Sequence, residues 1–320
     1  MSLNTLRHRS ALVIASLVMF APSGRLAERQ SPMCAIDMGS NTFRRIVGTF
    51  QDGRYVQLRV DQRTLGVGDD VTRNGRISDQ KLGEIDEALA TFKRACEKDS
   101  AARVVAVGTA AFRDAPNGGR AVEIARRLGI AMEIATEQRE SELAYLVGSL
   151  GREDQAVVDN GSRSIELVAK QGGTLRYTVL PLGYRVAYEA FFATAGDPAA
   201  ATLAFRERLR KEFSNASFMK GQKRLVGVEF GEMASGLFEP AAVEGRVFTL
   251  GQLQRRLQQI TTLGPAAFTA LKKTKDIDRA LPRLVAAVAV AEEFGYAELI
   301  LTERELGAGL IIEAVLKPSK

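Results

Sequence analysis

Residues 35–45 read AIDMGSNTFRR, and residues 157–167 read VVDNGSRSIEL. Each stretch is an apolar strand ending in aspartate, then an Asp-x-Gly-Ser turn, then a second alternating run. Asp37 and Asp159 close the two strands, where a carboxylate can hold a hydrated divalent cation or orient a water. Gly39 and Gly161 lack a Cβ, so backbone amides can come close to a ligand. Ser40, Asn41 and Thr42 on the first turn add hydroxyl and amide donors for phosphate oxygens; on the second, Ser162 and Ser164 carry hydroxyls and Arg163 a guanidinium. One such turn is also an ordinary Asx-type turn. Two of them, each opening a similar unit, make a clamp that grips a polyanion from both sides.

The rest of the chain repeats around these turns. Residues 33–36, 43–50 and 55–62 read as strands, with Asp52-Gly53 marking a hairpin turn between the last two. Residues 78–99 are the clearest helix, capped by Ser78, with Leu82, Ile85, Leu89, Phe92 and Cys96 on one apolar stripe. A strand at 103–107 leads into a loop, GTAAFRDAPNGG. A helix over 122–128, a strand over 130–134 and a helix over 137–150 follow. The order then restarts, with strands at 156–158, 165–168 and 175–180. Beyond them the chain is mostly helical over 184–209 and 250–294, with strands at 224–228 and 298–302. The run LVAAVAVAEEF is apolar on most sides and reads as a buried helix.

Composition confines the chemistry. A chain of 320 residues, 46% hydrophobic and 26% charged, is globular and long enough for about two domains. A net charge of +6 and a pI near 9.4 suit anionic partners, or simply a basic solvated surface. Aromatic residues are 7% and tryptophan is absent, which argues against a stacking surface for nucleic acid. The one histidine, His8, precedes the globular body. That removes Ser-His-Asp and Cys-His nucleophiles and the usual zinc sites, leaving carboxylates, Lys, Arg, hydroxyls and an oxygen-bound hard metal. Cys34 in a strand and Cys96 on a helix form no metal spacing and suggest no disulfide framework.

Residues 1–32 stand apart. NTLRHRS is basic, ALVIASLVMFAP is apolar, and Ala21-Pro22-Ser23 resembles a small-x-small cleavage site, the shape of a secretory signal. The run is too short for a comfortable membrane span. Met33, directly before the first strand, is the alternative start.

With these motifs in place, the chain resembles the exopolyphosphatase and guanosine pentaphosphate phosphohydrolase (Ppx/GppA) family, in a short form without the C-terminal helical domain. That family shares the fold of actin, the chaperone ATPases and the sugar kinases. AIDMGSNTFRRIVG is similar to its first phosphate loop. VGTAAFRDAPNG matches a Thr-x-x-x-Arg-x-Ala-x-Asn segment through Thr109, Arg113, Ala115 and Asn117. MEIATEQRESELAYLVG lies where the family carries its catalytic glutamate. VVDNGSRSIELV resembles the second phosphate loop, and LPLGYRVAYEAF the Leu-Pro-Leu-Gly segment after it. Three departures stand out. Ser162 and Arg163 replace loop glycines, Arg139 replaces the first glutamate of a pair, and Glu229, Phe230 and Glu232 intrude where the family has a Gly-Gly-Thr turn.

The resemblance implies an α/β chain with two actin-like (ribonuclease H-like) domains flanking a phosphate cleft. They would cover residues 33–151 and 152–320, with the last helix free to return to the first domain. It implies Mg²⁺ held at Asp37 and Asp159, phosphate binding by the two loops with Thr109 and Arg113, and Glu140 and Glu166 as catalytic carboxylates. The implied substrate is inorganic polyphosphate or guanosine pentaphosphate, without nucleic acid or a membrane span; a homodimer stays open. Such substrates place the chain in the cytoplasm, whereas a working leader would export it. Without the resemblance, Glu140 is a surface helix glutamate, Glu166 a polar strand residue and Arg113 a salt-bridge partner. A polyanion-binding sensor without catalysis is the competing function class.

Overall fold

The computed structural model describes residues 31–51, 54–239 and 241–316. The leader up to residue 30 and the Asp52-Gly53 turn lie outside the described residues. In chain order the first part runs β1 (Met33–Met38), β2 (Thr42–Gln51), β3 (Arg54–Thr64), α1 (Val67–Asn74), α2 (Asp79–Lys98), β4 (Arg103–Gly108), α3 (Ala110–Asp114), α4 (Gly119–Arg127), β5 (Ala131–Ile134) and α5 (Glu137–Ser149). The chain continues with β6 (Gln155–Asn160), β7 (Ile165–Gln171), β8 (Thr174–Leu180), α6 (Tyr184–Ala187), a π-helical turn at Tyr188–Phe192, α7 (Pro198–Phe213) and β9 (Arg224–Val228). It ends with α8 (Gly231–Leu237), β10 (Val247–Thr249), α9 (Leu250–Thr261), α10 (Pro265–Leu271), α11 (Ile277–Phe294), β11 (Glu298–Leu301) and α12 (Ala308–Leu316).

The strands form two sheets, ordered β3-β2-β1-β4-β5 and β10-β11-β9-β6-β7-β8. In each, an antiparallel meander is extended by a strand parallel to its first: β4 beside β1, and β9 beside β6. The repeated sequence phrase is therefore a repeated sheet. All strands of the first sheet precede α5, and all strands of the second follow it. Ala35 and Ile46 of the first sheet and Val157, Val168 and Val226 of the second share one buried cluster with Tyr145 and Val147 of α5 and Ile311 and Ile312 of α12. Two helices thus sit between the sheets, and α12 packs on α5, β1 and β2.

Ser78 caps α2 as its position suggests, accepting a hydrogen bond from the Lys81 amide. The apolar run in α11 is a buried helix of the second core. Among the described residues, no helix is long and apolar enough to cross a membrane.

Three features correct the sequence reading. Cys34 and Cys96 form a disulfide, with Cα atoms 5.9 Å apart and 62 residues between them in sequence. Cys34 faces the buried stripe of α2, so packing and not spacing brings the thiols together. The stretch read as a loop after β4 contains α3. Helix α1 was invisible because its sequence, VGDDVTRN, has little apolar content. Its start is held by tertiary bonds, since the amides of Leu65, Gly66 and Gly68 donate to the carbonyls of Asn41 and Ser40.

Candidate active site

Those bonds reveal how the first turn is built. A Cβ at Gly39 would stand 2.9 Å from the Thr42 carbonyl oxygen, so the turn needs glycine there. The carbonyls of Ser40 and Asn41 are tied back to the start of α1. The second turn is held the same way by the start of α6. The amides of Gly183, Tyr184 and Arg185 donate to the carbonyls of Arg163, Gly161 and Ser162, at 3.0, 2.9 and 3.1 Å. A Cβ at Gly183 would lie 2.4 Å from the Ser164 amide nitrogen, which explains the glycine that ends Leu-Pro-Leu-Gly. In both halves the helix after the meander fixes the loop carbonyls, so each loop keeps one conformation.

The two turns face one cleft holding about 590 Å³ of empty space, open to solvent. Asp37, Gly39, Ser40, Asn41, Thr42, Thr109 and Glu140 line it from the first half. Asp159, Gly161, Ser162, Arg163, Ser164 and Glu166 line it from the second. Among the residues expected to bind phosphate or metal or to act in catalysis, Arg113 alone is outside the lining. Its guanidinium donates to Glu140 and to the Ala135 carbonyl, both at 2.9 Å.

The cleft concentrates negative charge. Asp37, Asp159 and Glu166 are only 3%, 4% and 3% exposed. Burial raises the pKa of all three well above the ordinary carboxylate range. Glu229 and then Glu166 push Asp159 further in that direction, and Glu140 does the same to Glu166. Burial also raises Glu140, against the opposing hydrogen bond and charge of Arg113. Ser164 donates its hydroxyl to Glu166. Asp159 Oδ1 is buried with no hydrogen-bond partner.

A divalent cation fits this donor set. Among the described residues, no group of three or more His, Cys, Asp or Glu is arranged to hold a metal unaided. Two opposed carboxylates, one with an orphaned oxygen, match an ion that keeps its waters and shares phosphate oxygens with a substrate.

The departures now have structural explanations. Arg139 grips Glu313 of α12 in a two-pronged pair and Glu133 beside it, fastening α12 onto α5. Arg163 reaches across the cleft mouth to Asp114, 3.4 Å away. Asn117 faces away from the cleft and exchanges two hydrogen bonds with the backbone of Ile77, a structural duty. Glu229 is a lining residue that the sequence flagged only as a misplaced charge.

Comparison with known proteins agrees with this architecture. The sequence model of the Ppx/GppA phosphatase family matches residues 47–317. The chain belongs to this family. A guanosine-5'-triphosphate,3'-diphosphate pyrophosphatase of Vibrio cholerae is 28% identical over 149 residues, 44% of this chain and 30% of its own. An uncharacterised protein of Streptomyces coelicolor is 25% identical over 190 residues, 57% of this chain and 56% of its own. The chain spans about a third of the length of the pyrophosphatases it matches. The crystal structure of an Aquifex aeolicus Ppx/GppA member superposes with a TM-score of 0.76 at 25% identity, covering 91% of this chain and 99% of that one. An exopolyphosphatase from Cytophaga hutchinsonii gives 0.73 at 17% identity over 91% and 99%, a likeness of fold. The fold is thus the two-domain actin-like fold of the Ppx/GppA proteins.

Proposed function

We propose that this Ppx/GppA protein is a Mg²⁺-dependent phosphoanhydride hydrolase that releases terminal phosphate from inorganic polyphosphate or guanosine pentaphosphate. The observation that carries the reading is the meeting of Asp37 and Glu140 with Asp159 and Glu166 in one cleft between two anchored loops. The loop amides and the hydroxyls of Ser40, Thr42, Thr109, Ser162 and Ser164 bind and orient the terminal phosphates, and Asn41 and Arg163 add donors at the mouth. Glu140 accepts the proton of the attacking water on its carboxylate. As the water oxygen bonds to the terminal phosphorus, the bond to the bridging oxygen breaks and the shortened polyanion leaves. Arg113 holds Glu140 in place and adds positive charge behind it. Glu166, oriented by Ser164, positions the water. Asp37 and Asp159 hold Mg²⁺, which supplies charge neutralisation for the phosphate oxygens. The family relationship and the names of the V. cholerae and C. hutchinsonii proteins support this substrate class.

Single-turnover phosphate release from long-chain polyphosphate and from guanosine pentaphosphate, with Mg²⁺, tests the proposal. Release from either one supports it. Tight binding without release under any divalent metal replaces the enzyme with a sensor, the reading that Glu229 in the cleft favours. The cytoplasm suits these substrates, whereas the Cys34–Cys96 bridge suits an oxidising compartment. N-terminal sequencing of the native protein separates a start at Met33 from a mature end near Gly24.

Two consequences are measurable. Mg²⁺ at a hundredfold excess over its Kd stabilises the fold by about 2.7 kcal/mol, seen as a rise in Tm. In Asp159→Asn that rise is lost, while the metal-free protein melts no lower than wild type because a buried repelled charge is gone. A Tm that responds equally to Mg²⁺ in both proteins places the cation elsewhere. Separately, Arg163→Gly lowers polyphosphate affinity by up to about fivefold, the scale of ~1 kcal/mol for an exposed charge. The loss shrinks at high salt. A gain in affinity instead identifies Arg163 as an obstruction.

A further inference from the structure

Glu229 directly follows β9 with φ at +63°, a backbone conformation that favours glycine. Its carboxylate lies 3.2 Å from Arg44 Nη1 and 3.6 Å from Arg283 Nη2. These two guanidinium groups converge from opposite halves of the molecule. Arg44 sits on β2 of the first sheet. Arg283 is on α11, is 1% exposed, donates to the Asn160 carbonyl directly beneath the second loop, and stacks over the Tyr184 ring at 4.3 Å. Guanidinium forks are a usual means of gripping a phosphate; Arg44 lines the cleft beside Glu229, and Arg283 is buried behind it. Here the position between them is taken by a carboxylate of the chain itself.

Each arginine keeps a second carboxylate partner without Glu229. Arg44 also meets Glu305 at 3.2 Å, and Arg283 meets Glu232 at 2.9 Å, which further binds Arg279 at 3.3 Å. Three guanidinium groups pair with three carboxylates here, and removing Glu229 leaves two carboxylates in those pairs, with Asp37 also acting on Arg44. The Glu229 carboxylate also points at the catalytic side. A Cβ on Gly161 would lie 3.9 Å from its Oε2, and after burial it is the strongest influence raising Asp159.

We propose that Glu229 is a specificity-determining residue, an internal anion seated between Arg44 and Arg283 that closes this part of the cleft to a second phosphate group of the substrate. The inference rests on the phosphate-cleft reading above. The site then grips a linear phosphoanhydride by its end, and the Arg44–Arg283 seat contributes nothing to affinity until the carboxylate is removed.

Inorganic tripolyphosphate is the probe, titrated by calorimetry without metal and by initial rates with Mg²⁺. Glu229→Gly removes the carboxylate and suits the φ of the site. Glu229→Gln keeps the shape and removes the charge. Both are expected to bind tripolyphosphate at least tenfold more tightly than wild type, with a steeper salt dependence. In turnover the change appears as a lower KM. Unchanged or weaker binding in both variants overturns the proposal, and so does a fall in Tm of either variant without a gain in affinity, which marks Glu229 as a structural tie. The calorimetric comparison stands apart from the hydrolase reading. If wild type releases no phosphate from any polyanion, that reading fails, while tighter binding by the variants still upholds the seat.

Discussion

Glu140→Gln is expected to cut kcat for phosphate release by roughly a hundredfold to ten-thousandfold, the range that a positioned general base contributes, and to leave polyphosphate affinity within threefold of wild type. The amide keeps the side-chain shape, and its oxygen still accepts the Arg113 hydrogen bond that the carboxylate accepts at 2.9 Å. What it cannot do is take a proton from water. The pH profile gives a second, independent check. Burial raises the Glu140 pKa, with Arg113 opposing it. The base works deprotonated, so activity is full above the raised value and lost as the pH falls through it. The acid limb of kcat/KM therefore lies above the ordinary carboxylate range of about 4.3. Arg113→Gln removes the opposing charge and moves that limb higher still. Wild-type turnover in Glu140→Gln would move the base elsewhere, with Glu166 the next carboxylate in the cleft.

The parts of this site that sequence revealed are the parts built locally. An Asp-x-Gly-Ser turn is recognisable from its own residues, because glycine permits the turn and serine supplies the donor. Its duplication announced two similar sheets. The parts that stayed hidden depend on contacts far along the chain. Arg113 and Glu140 are 27 residues apart, Arg139 and Glu313 are 174 apart, and Arg44 and Glu229 are 185 apart. No local pattern encodes such pairs, so Arg113 read as a phosphate ligand, whereas in the structure it is hydrogen-bonded to Glu140. Arg139 read as a lost glutamate, yet it fastens the last helix. Asn117 matched a family position and proved to brace the backbone of Ile77.

The two loops show a deeper repeat than their sequences do. Ser40 and Asn41 are held by α1, whereas Gly161, Ser162 and Arg163 are held by α6, and the two helices share no obvious motif. What repeats is the arrangement of backbone bonds, which side chains need not spell out. This tolerance explains how the second loop keeps its fold with Ser162 and Arg163 in place of glycines. The same logic applies to Glu229, where a glycine-type backbone persists under a glutamate side chain. In this chain the turns stand on backbone bonds whatever chemistry their side chains present.

Reduction of the Cys34–Cys96 bridge is expected to be the largest stability change available from a single bond. The bridge closes a loop with a sequence separation of 62 residues between β1 and α2. In the chain-entropy account, a crosslink of that span constrains the unfolded chain by about 4 kcal/mol, roughly a thousandfold in the folding equilibrium constant. Unfolding in guanidinium chloride with and without a thiol reductant measures it. The oxidised protein should unfold at clearly higher denaturant, and a Cys34→Ala, Cys96→Ala double variant should unfold near the reduced protein and ignore the reductant. Both sulfurs are fully buried, so the variant also loses some packing and falls slightly below the reduced wild type. Turnover of the reduced protein under native conditions should stay within twofold. β1 remains paired on both sides, with β2 and with β4, and that pairing holds Asp37 in the cleft. A denaturation midpoint indifferent to reductant would show that the two cysteines are packed together as thiols. Closeness enforced by the core would then be all that joins β1 to α2.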